Sequence, residues 1–157
     1  MNGSPFLAII SRTIASFFGA GYSPVAPGTV GTLATVPLYL LIRRWSLGAY
    51  VIFLTILVGI GIVVSGVMEQ AWGKDPSRVV IDEVCGLLIA LIRRPARWTD
   101  ILLAILLFRA FDILKPPPIG ILDREIHGGL GIMADDLAAG AVSALILALA
   151  TWKRRIS

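Results

Sequence analysis

The sequence predicts an all-α fold, a compact membrane-embedded bundle of five or six helices, some of them short or re-entrant. Hydrophobic residues make up 57% of the 157 residues and charged residues only 15%. An ordinary soluble domain has about 45–50% and about 25%, respectively. The apolar residues also form long runs separated by Gly, Pro and basic residues, without the alternation that is typical of strands.

The length of the chain indicates a single domain over residues 1–157, and its hydrophobicity excludes a disordered protein. The net charge is +4 and the pI about 9.7, but nucleic acid is not the expected partner. The arginines lie at the ends of apolar runs, where they suit anionic lipid headgroups. Cys85 is the single cysteine, which excludes an internal disulfide and argues against zinc. No obligate protein partner is evident.

The first half of the chain contains three predicted helices. We expect residues 5–20 to form an amphipathic helix at the membrane interface, and the Gly/Pro-rich residues 21–31 to be irregular. An apolar run follows at 29–42. Residues 47–68 carry no charge, and at 1.5 Å per residue they are long enough to cross a ~30 Å hydrocarbon layer.

The second half contains three further predicted helices. Residues 76–92 form one, with Asp75 as its N-cap and Pro76 at its first position, after a polar segment at 69–78. Another covers about 99–114, followed by a loop at 115–131 that contains three consecutive prolines. The last covers about 131–152 and leads into a basic tail at 153–157.

Acidic residues occur inside these apolar helices. They are Asp82, Glu83, Asp112, Asp135 and Asp136. A charge at bilayer depth costs about 2.5–3.5 kcal/mol, so these carboxylates must face one another, a cavity or a cation. Two explanations stay open. One is a divalent cation, for which Mg²⁺ is the best fit because it prefers oxygen ligands. The other is an intramembrane salt-bridge network with Arg78, Arg109 and Arg124.

Two glycine-rich segments lie beside the acids. They are residues 27–32 (PGTVGT) and 127–131 (HGGLG), each opening a predicted helix. Close backbone approach to an anion is one interpretation, and a tight turn or a helix-packing surface is the alternative that we favour for either segment alone. His127 suits a general acid or base as well as a loop-fixing hydrogen bond. Cys85 is typical of a small buried hydrophobic residue rather than a nucleophile.

Three blocks of sequence together resemble the bacterial phosphatidylglycerophosphatase A family. They are residues 21–32 (GYSPVAPGTVGT), residues 80–86 (VIDEVCG), and residues 108–120 (FRAFDILKPPPIG) continuing through Asp123 and Arg124 to 127–136 (HGGLGIMADD). The resemblance implies an all-helical enzyme of the bacterial inner membrane. It further implies Mg²⁺-dependent hydrolysis of phosphatidylglycerophosphate to phosphatidylglycerol and inorganic phosphate, a step of phospholipid biosynthesis.

The chemistry of individual residues fits the activity that the resemblance implies, and we expect the following roles for them. Asp82, Asp112, Asp136 and His127 are the expected catalytic residues. The expected ligands of one or two Mg²⁺ ions are Asp82, Glu83, Asp112, Asp123, Asp135 and Asp136. Thr29, Thr32, Arg109, Lys115 and Arg124 are expected to bind the substrate phosphate or headgroup. Attack by water and attack by an aspartate stay open.

The charges on the two sides give conflicting orientations. If five segments cross the membrane, the connecting loops lie alternately on its two sides. One side then carries eight basic residues, at 43–44, 93–94, 97 and 153–155. The other side carries five basic residues and most of the expected site. The positive-inside rule would place the first side in the cytoplasm. The family's substrate is made at the cytoplasmic leaflet, so we expect the site to face the cytoplasm.

Two other functions are less consistent with the sequence than the phosphatase. A CDP-alcohol phosphotransferase would show a D-G-x-x-A-R core, which the sequence lacks. A small transporter or channel with an acidic intramembrane site would commonly show a repeated half, which is also missing.

Overall fold

The structure is a computed structural model that describes residues 5–74 and 76–156, without the side chains of residues 5, 123 and 153–156. The described chain is all-helical, as predicted, and contains no strand. Its helices are α1 (Pro5–Ala15), α2 (Pro27–Ile42), α3 (Leu47–Trp72), α4 (Ile81–Ala90), α5 (Trp98–Leu114), α6 (Ile119–Glu125) and α7 (Gly128–Ile156), with a 3₁₀ turn at Ala20–Tyr22.

The first helices differ from the prediction at their ends. α1 stops at Ala15 instead of continuing to 20, because Phe17, Phe18 and Gly19 adopt positive φ values that turn the chain. α2 already begins at Pro27, inside the segment expected to be irregular. Proline is favoured at the first helical position, where its missing N–H is not needed.

The helix predicted for about 76–92 begins later than expected, because α4 covers Ile81–Ala90. Before it, the Val79 amide donates to the Pro76 carbonyl, and the Val80 amide donates to the carbonyl of Ala15 at the end of α1. These bonds hold the chain in a turn where the helix was expected. The expected N-cap, Asp75, lies outside the described residues.

The segment 115–131, predicted as a loop, contains the seven-residue helix α6 and the start of α7. Pro118 occupies the N-cap of α6, and the amides of Ile121 and Leu122 donate to its carbonyl. Prolines that stop one helix can therefore begin the next, since the first turn needs no donors. This short helix explains why the described residues form seven helices instead of five or six.

α4 and α7 form the centre of the bundle. Most of α4 is buried, and α7 packs against α3, α4, α5 and α6. The two central helices cross at Gly86 and Gly140, where a side chain on Gly140 would run into the Gly86 carbonyl. α3 and α7 approach similarly at Gly129, where an added side chain would meet the backbone of Ile62. Small residues at helix crossings are typical of membrane bundles.

Two helices are long and apolar enough to cross a membrane, Leu47–Trp72 and Gly128–Trp152. Their most apolar windows have mean hydropathies of 2.7 and 1.8. α2 and α5, with 16 and 17 residues, reach about 24–26 Å, and α4, with 10 residues, reaches about 15 Å. The prediction that some helices are too short to span is therefore confirmed for the described chain.

Apart from the short α6, the helices from α2 onwards alternate in direction, which gives the bundle two chemically different ends. One end, here called the arginine end, joins the α2–α3 and α4–α5 connections. There Arg43 donates to the carbonyl of Ala96, and Arg94 donates to that of Trp45. The opposite end, here called the site end, collects the N-termini of α2, α4 and α7 and the C-termini of α3 and α5.

Candidate active site

A cavity of about 630 Å³ opens at the site end of the bundle. Its charged and titratable lining residues are Glu69, Lys74, Asp82, Glu83, Arg109, Asp112, Lys115, Arg124, His127, Asp135 and Asp136. The carboxylates are the more deeply placed groups: Asp135 and Asp136 are buried and Asp82, Glu83 and Asp112 are half-buried. Lys74, Arg124 and His127 are exposed. The cavity therefore has a mainly acidic interior, which Arg109 and Lys115 also reach, and an exposed basic rim.

The first turn of α4 places Asp82 and Glu83 in this cavity. The Glu83 amide donates to Asp82 Oδ1 over 3.1 Å, and the positive end of the helix dipole favours both carboxylates. Gly28, in the first turn of α2, lies directly against Glu83, and any side chain at position 28 would collide with that carboxylate. The PGTVGT segment thus packs against α4 at this position, but Gly28 also lines the cavity, so both interpretations of the segment stay open.

α7 supplies Asp135 and Asp136, and α5 supplies Asp112. The crossing of α4 and α7 at Gly86 and Gly140 brings Asp136 close to the first turn of α4. A bulkier residue at either glycine would separate these helices, so the small residues control the spacing of the acids.

The five acids form two overlapping groups. Carboxylate oxygens of Asp82, Glu83 and Asp136 lie within 4.8 Å of one another, and so do those of Asp112, Asp135 and Asp136. Asp136 belongs to both groups. Three helices therefore deliver oxygen atoms to a small volume, at distances short enough for one ion to contact three of them.

Two of the basic side chains are paired with these acids. Arg109 Nη1 lies 2.5 Å from Asp112 Oδ2 and 3.7 Å from Glu83 Oε1. Lys115 Nζ lies 2.7 Å from Asp135 Oδ2. The salt-bridge network of the alternative explanation is therefore present in part, with Arg109 but without a described ion pair to Arg78 or Arg124.

Positive charge within the cavity does not balance the negative charge. Within the described chain, Glu83 Oε2 is buried and has no hydrogen-bond partner. Burial raises the pKa of Asp82 and Glu83, and the neighbouring Glu83 charge raises that of Asp82 further. The cluster offers many carboxylate oxygens, its negative charge exceeds the positive charge nearby, and one of its buried oxygens has no hydrogen-bond partner in the described chain. Such a cluster suits a hard divalent cation.

Comparison with known proteins identifies the family. The family model for phosphatidylglycerophosphatase A matches residues 13–151. The chain belongs to this family. A relative from Escherichia coli named phosphatidylglycerophosphatase A is 38% identical over 133 residues, covering 83% of this chain and 77% of that protein. Its namesake from Haemophilus influenzae is 37% identical over 139 residues, covering 86% and 85%.

A third relative carries a different name. The Bacteroides thetaiotaomicron protein named "Putative phosphatidylinositol-3-phosphatase" is 39% identical over 164 aligned positions, covering 97% of this chain and 98% of that protein. No solved structure matches the chain. Membership in the phosphatidylglycerophosphatase A family makes the chain a phosphoric monoester hydrolase, and the predicted resemblance is confirmed. This family membership also argues against the phosphotransferase and the transporter as alternative functions.

The structure gathers most of the residues that sequence reasoning assigned to a phosphatase site. The exceptions are Thr29 and Thr32, which do not line the cavity. Thr32 is fully buried, and its hydroxyl donates to the Gly28 carbonyl over 2.8 Å within α2. This bond uses the hydroxyl proton that was expected to reach a headgroup. The side chain of Asp123 lies outside the description.

Sequence reasoning missed Glu69, Lys74 and Ser77, which also line the cavity. Glu69 is the first acid after the long uncharged run of α3, and its carboxylate lies near Gly128 of the HGGLG segment. The position of Glu69, a single acidic residue at the end of an apolar run, was the sequence signal that could have identified it as a cavity residue. Polar residues of the α3–α4 connection carried no comparable signal.

Cys85 lies one turn inside α4 and is fully buried. Burial raises the pKa of its thiol to about 12, and the nearby Asp136 carboxylate adds to the shift. The thiol therefore stays protonated at neutral pH. The interpretation of Cys85 as a small core residue agrees with this placement.

Proposed function

We propose that this protein hydrolyses phosphatidylglycerophosphate to phosphatidylglycerol and inorganic phosphate, with Mg²⁺ as cofactor, in bacterial phospholipid biosynthesis. The observation that carries the proposal is the convergence of acids from α4, α5 and α7 beneath a basic rim, in a member of this phosphatase family. The acidic interior suits a cation, and the rim suits the phosphate that this cation would help to bind.

Under this proposal, Asp82, Glu83, Asp112, Asp135 and Asp136 hold the metal, with Asp136 shared between the two groups. When bound, Mg²⁺ supplies positive charge for the phosphoryl oxygens. Glu83 Oε2 has no protein partner in the described chain and is the oxygen most available for this role.

The basic residues take two different roles. Arg124 and Lys74 lie exposed at the rim, where they attract and orient the phosphate dianion. Arg109 is a positioning residue, because its guanidinium holds Glu83 and Asp112 together. Lys115 combines the two roles, because it forms an ion pair with Asp135 and also lines the cavity that would receive the phosphate.

The proton that leaves the attacking water needs an acceptor. The carboxylate cluster lies in the acidic interior of the cavity, next to the position where the phosphate would bind. His127 is exposed at the rim and lies on the side from which substrate and water enter. We assign the base to the carboxylate cluster and a phosphate-orienting contact to His127.

A second headgroup is a specific alternative, because the Bacteroides relative named for phosphatidylinositol 3-phosphate matches almost the whole chain. Both lipids present a phosphate monoester on a hydroxylated headgroup. The test is release of inorganic phosphate by the purified protein from phosphatidylglycerophosphate, phosphatidylinositol 3-phosphate and phosphatidic acid in matched micelles. We expect the highest kcat/KM on phosphatidylglycerophosphate. A preference for the inositol lipid would replace our substrate assignment.

We further propose that the protein lies in the inner membrane with the site end towards the cytoplasm. Two helices suited to span and an exposed apolar surface support membrane insertion. Two arginines of the arginine end, Arg43 and Arg94, donate hydrogen bonds to backbone carbonyls, so they have structural roles as well. The number of basic residues at that end is therefore weaker evidence that it faces the cytoplasm. Single cysteines at Ser46 and Lys74 test the orientation, since the native Cys85 is buried and gives little background. We expect an impermeant thiol reagent to label only position 46 in spheroplasts.

A further inference from the structure

A second cavity, of about 360 Å³, lies at the arginine end of the bundle. Its walls come from the α4–α5 connection and the C-terminal part of α7, and it has no residue in common with the active site. Arg93, Arg94 and Arg97 line it together with Asp100, Leu147 and Thr151. Among the described lining residues, three guanidinium groups accompany one carboxylate, so the cavity suits an anion.

The connection that carries these arginines is held in place. Tyr39 Oη donates to the Pro95 carbonyl over 2.5 Å, and Arg43 donates to the Ala96 carbonyl over 3.3 Å. Arg94 adopts a positive φ of 53° and donates to the Trp45 carbonyl through one end of its guanidinium. These contacts fix the cavity before any ligand enters, which lowers the entropy cost of binding.

The arginines retain capacity for a ligand. Arg94 Nε is buried and has no hydrogen-bond partner among the described atoms. Arg93 and Arg97 are exposed, and neither takes part in an ion pair described for this chain. Guanidinium groups bind phosphate through paired N–H donors, which is the geometry that such a cluster offers.

The surroundings of the cavity indicate a lipid as the source of the phosphate. Trp45 and Trp98 are exposed beside it, as aromatic residues are at the level of lipid headgroups. Exposed leucines continue from it along the outer surfaces of both bordering helices; they are Leu102, Leu106, Leu145 and Leu149. The cavity is large enough for a headgroup, and acyl chains would lie on this apolar surface.

We propose that the arginine-end cavity is a binding site for the phosphate of an anionic phospholipid, separate from the active site. Its three guanidinium groups hold the phosphate, and the acyl chains run along α5 and α7. The proposal does not rest on the proposed catalytic function, because it uses none of the residues of the active site.

The test measures lipid selectivity at Trp98. The full chain, with Trp45, Trp72 and Trp152 replaced by Phe, is reconstituted in vesicles that contain either phosphatidylglycerol or phosphatidylcholine with brominated acyl chains. Bromine quenches tryptophan emission at short range, so the two titrations give relative affinities near Trp98. We expect the anionic lipid to quench at the lower mole fraction. Equal quenching by both lipids would overturn the proposal.

Variants connect this selectivity to the cavity. Arg97→Gln, and independently Arg93→Gln, should each lower the preference for the anionic lipid by roughly fivefold. Arg12→Gln removes the same charge from α1, outside this cavity, and should leave the preference unchanged. Unchanged selectivity in both cavity variants would contradict the proposal. Full competition by millimolar inorganic phosphate would also contradict it, because that result assigns the cavity to free phosphate.

Discussion

Asp82 on α4 and Asp136 on α7 present carboxylate oxygens within 4.8 Å of each other. The two residues are far apart in the sequence and meet because Gly86 and Gly140 let their helices cross in backbone contact. Two buried or half-buried acids at this distance repel one another unless a proton or a cation lies between them. The fold therefore maintains an arrangement that a shared proton, or the divalent cation proposed above, would stabilise.

Replacing Asp136 by Asn tests the residue that both carboxylate groups have in common. The substitution keeps the side-chain shape and removes one charge, so the protein should still insert into membranes. We expect phosphate release to fall by about 10²-fold or more, the size of effect seen when a key electrostatic group is lost. Glu125→Gln is the matched control, since Glu125 is exposed and does not line the cavity. Comparable activity in both variants would refute the shared role of Asp136.

Gly140→Ala tests whether the helix crossing sets the spacing of the acids. The added methyl group would collide with the backbone of Gly86, and overpacking of this kind costs about 1–3 kcal/mol. We expect lower thermal stability together with lost phosphatase activity. Gly59→Ala is the control: nothing lies within 4 Å of the added methyl, and alanine favours the helix by up to about 1 kcal/mol. If the two variants behave alike, the crossing does not control the site.

Arg109→Gln tests the positioning role of the guanidinium. Its loss leaves Glu83 and Asp112 without their described ion-pair partner and increases repulsion within the cluster. In EDTA the variant should be less stable than the native protein by up to about 3 kcal/mol. Added Mg²⁺ should raise its melting temperature more than that of the native protein. A melting temperature that ignores Mg²⁺ in both proteins would argue against this cation–cluster coupling.

His127→Ala separates two candidate bases. The imidazole is exposed at the cavity rim, whereas the carboxylates lie deeper. We therefore expect a loss of less than about tenfold in kcat, with a larger change in KM. General bases contribute about 10²-fold or more, so a kcat loss of that size would transfer the role of base from the carboxylates to His127.

The sequence was sufficient to predict the fold class and most of the residues that line the candidate cavity, because a charge at membrane depth is so costly. Acids inside apolar runs, such as Asp82 and Asp136, have few tolerable environments, and their convergence follows from that constraint. α5 was predicted at 99–114 and is found at Trp98–Leu114, since its ends carry clear signals in Trp98 and the prolines. The single-domain assignment remains a prediction.

The features that escaped prediction depend on tertiary contacts. The late start of α4 results from a hydrogen bond between Val80 and Ala15, which no local pattern records. α6 forms where the consecutive prolines predict a loop. The Thr32 hydroxyl donates a hydrogen bond to the Gly28 carbonyl within its own helix. The ion pair of Arg109 with Glu83 likewise depends on the packing of two helices, and the expected contact of Arg109 with the phosphate stays a prediction.

The most direct test of the central claim is phosphate release from phosphatidylglycerophosphate by the purified protein, measured in EDTA and again after Mg²⁺ is restored. The acidic cluster predicts that EDTA abolishes release and that Mg²⁺ restores it in the native protein but not in Asp136→Asn. Undiminished phosphate release in EDTA would contradict the claim that these carboxylates act by holding a divalent cation.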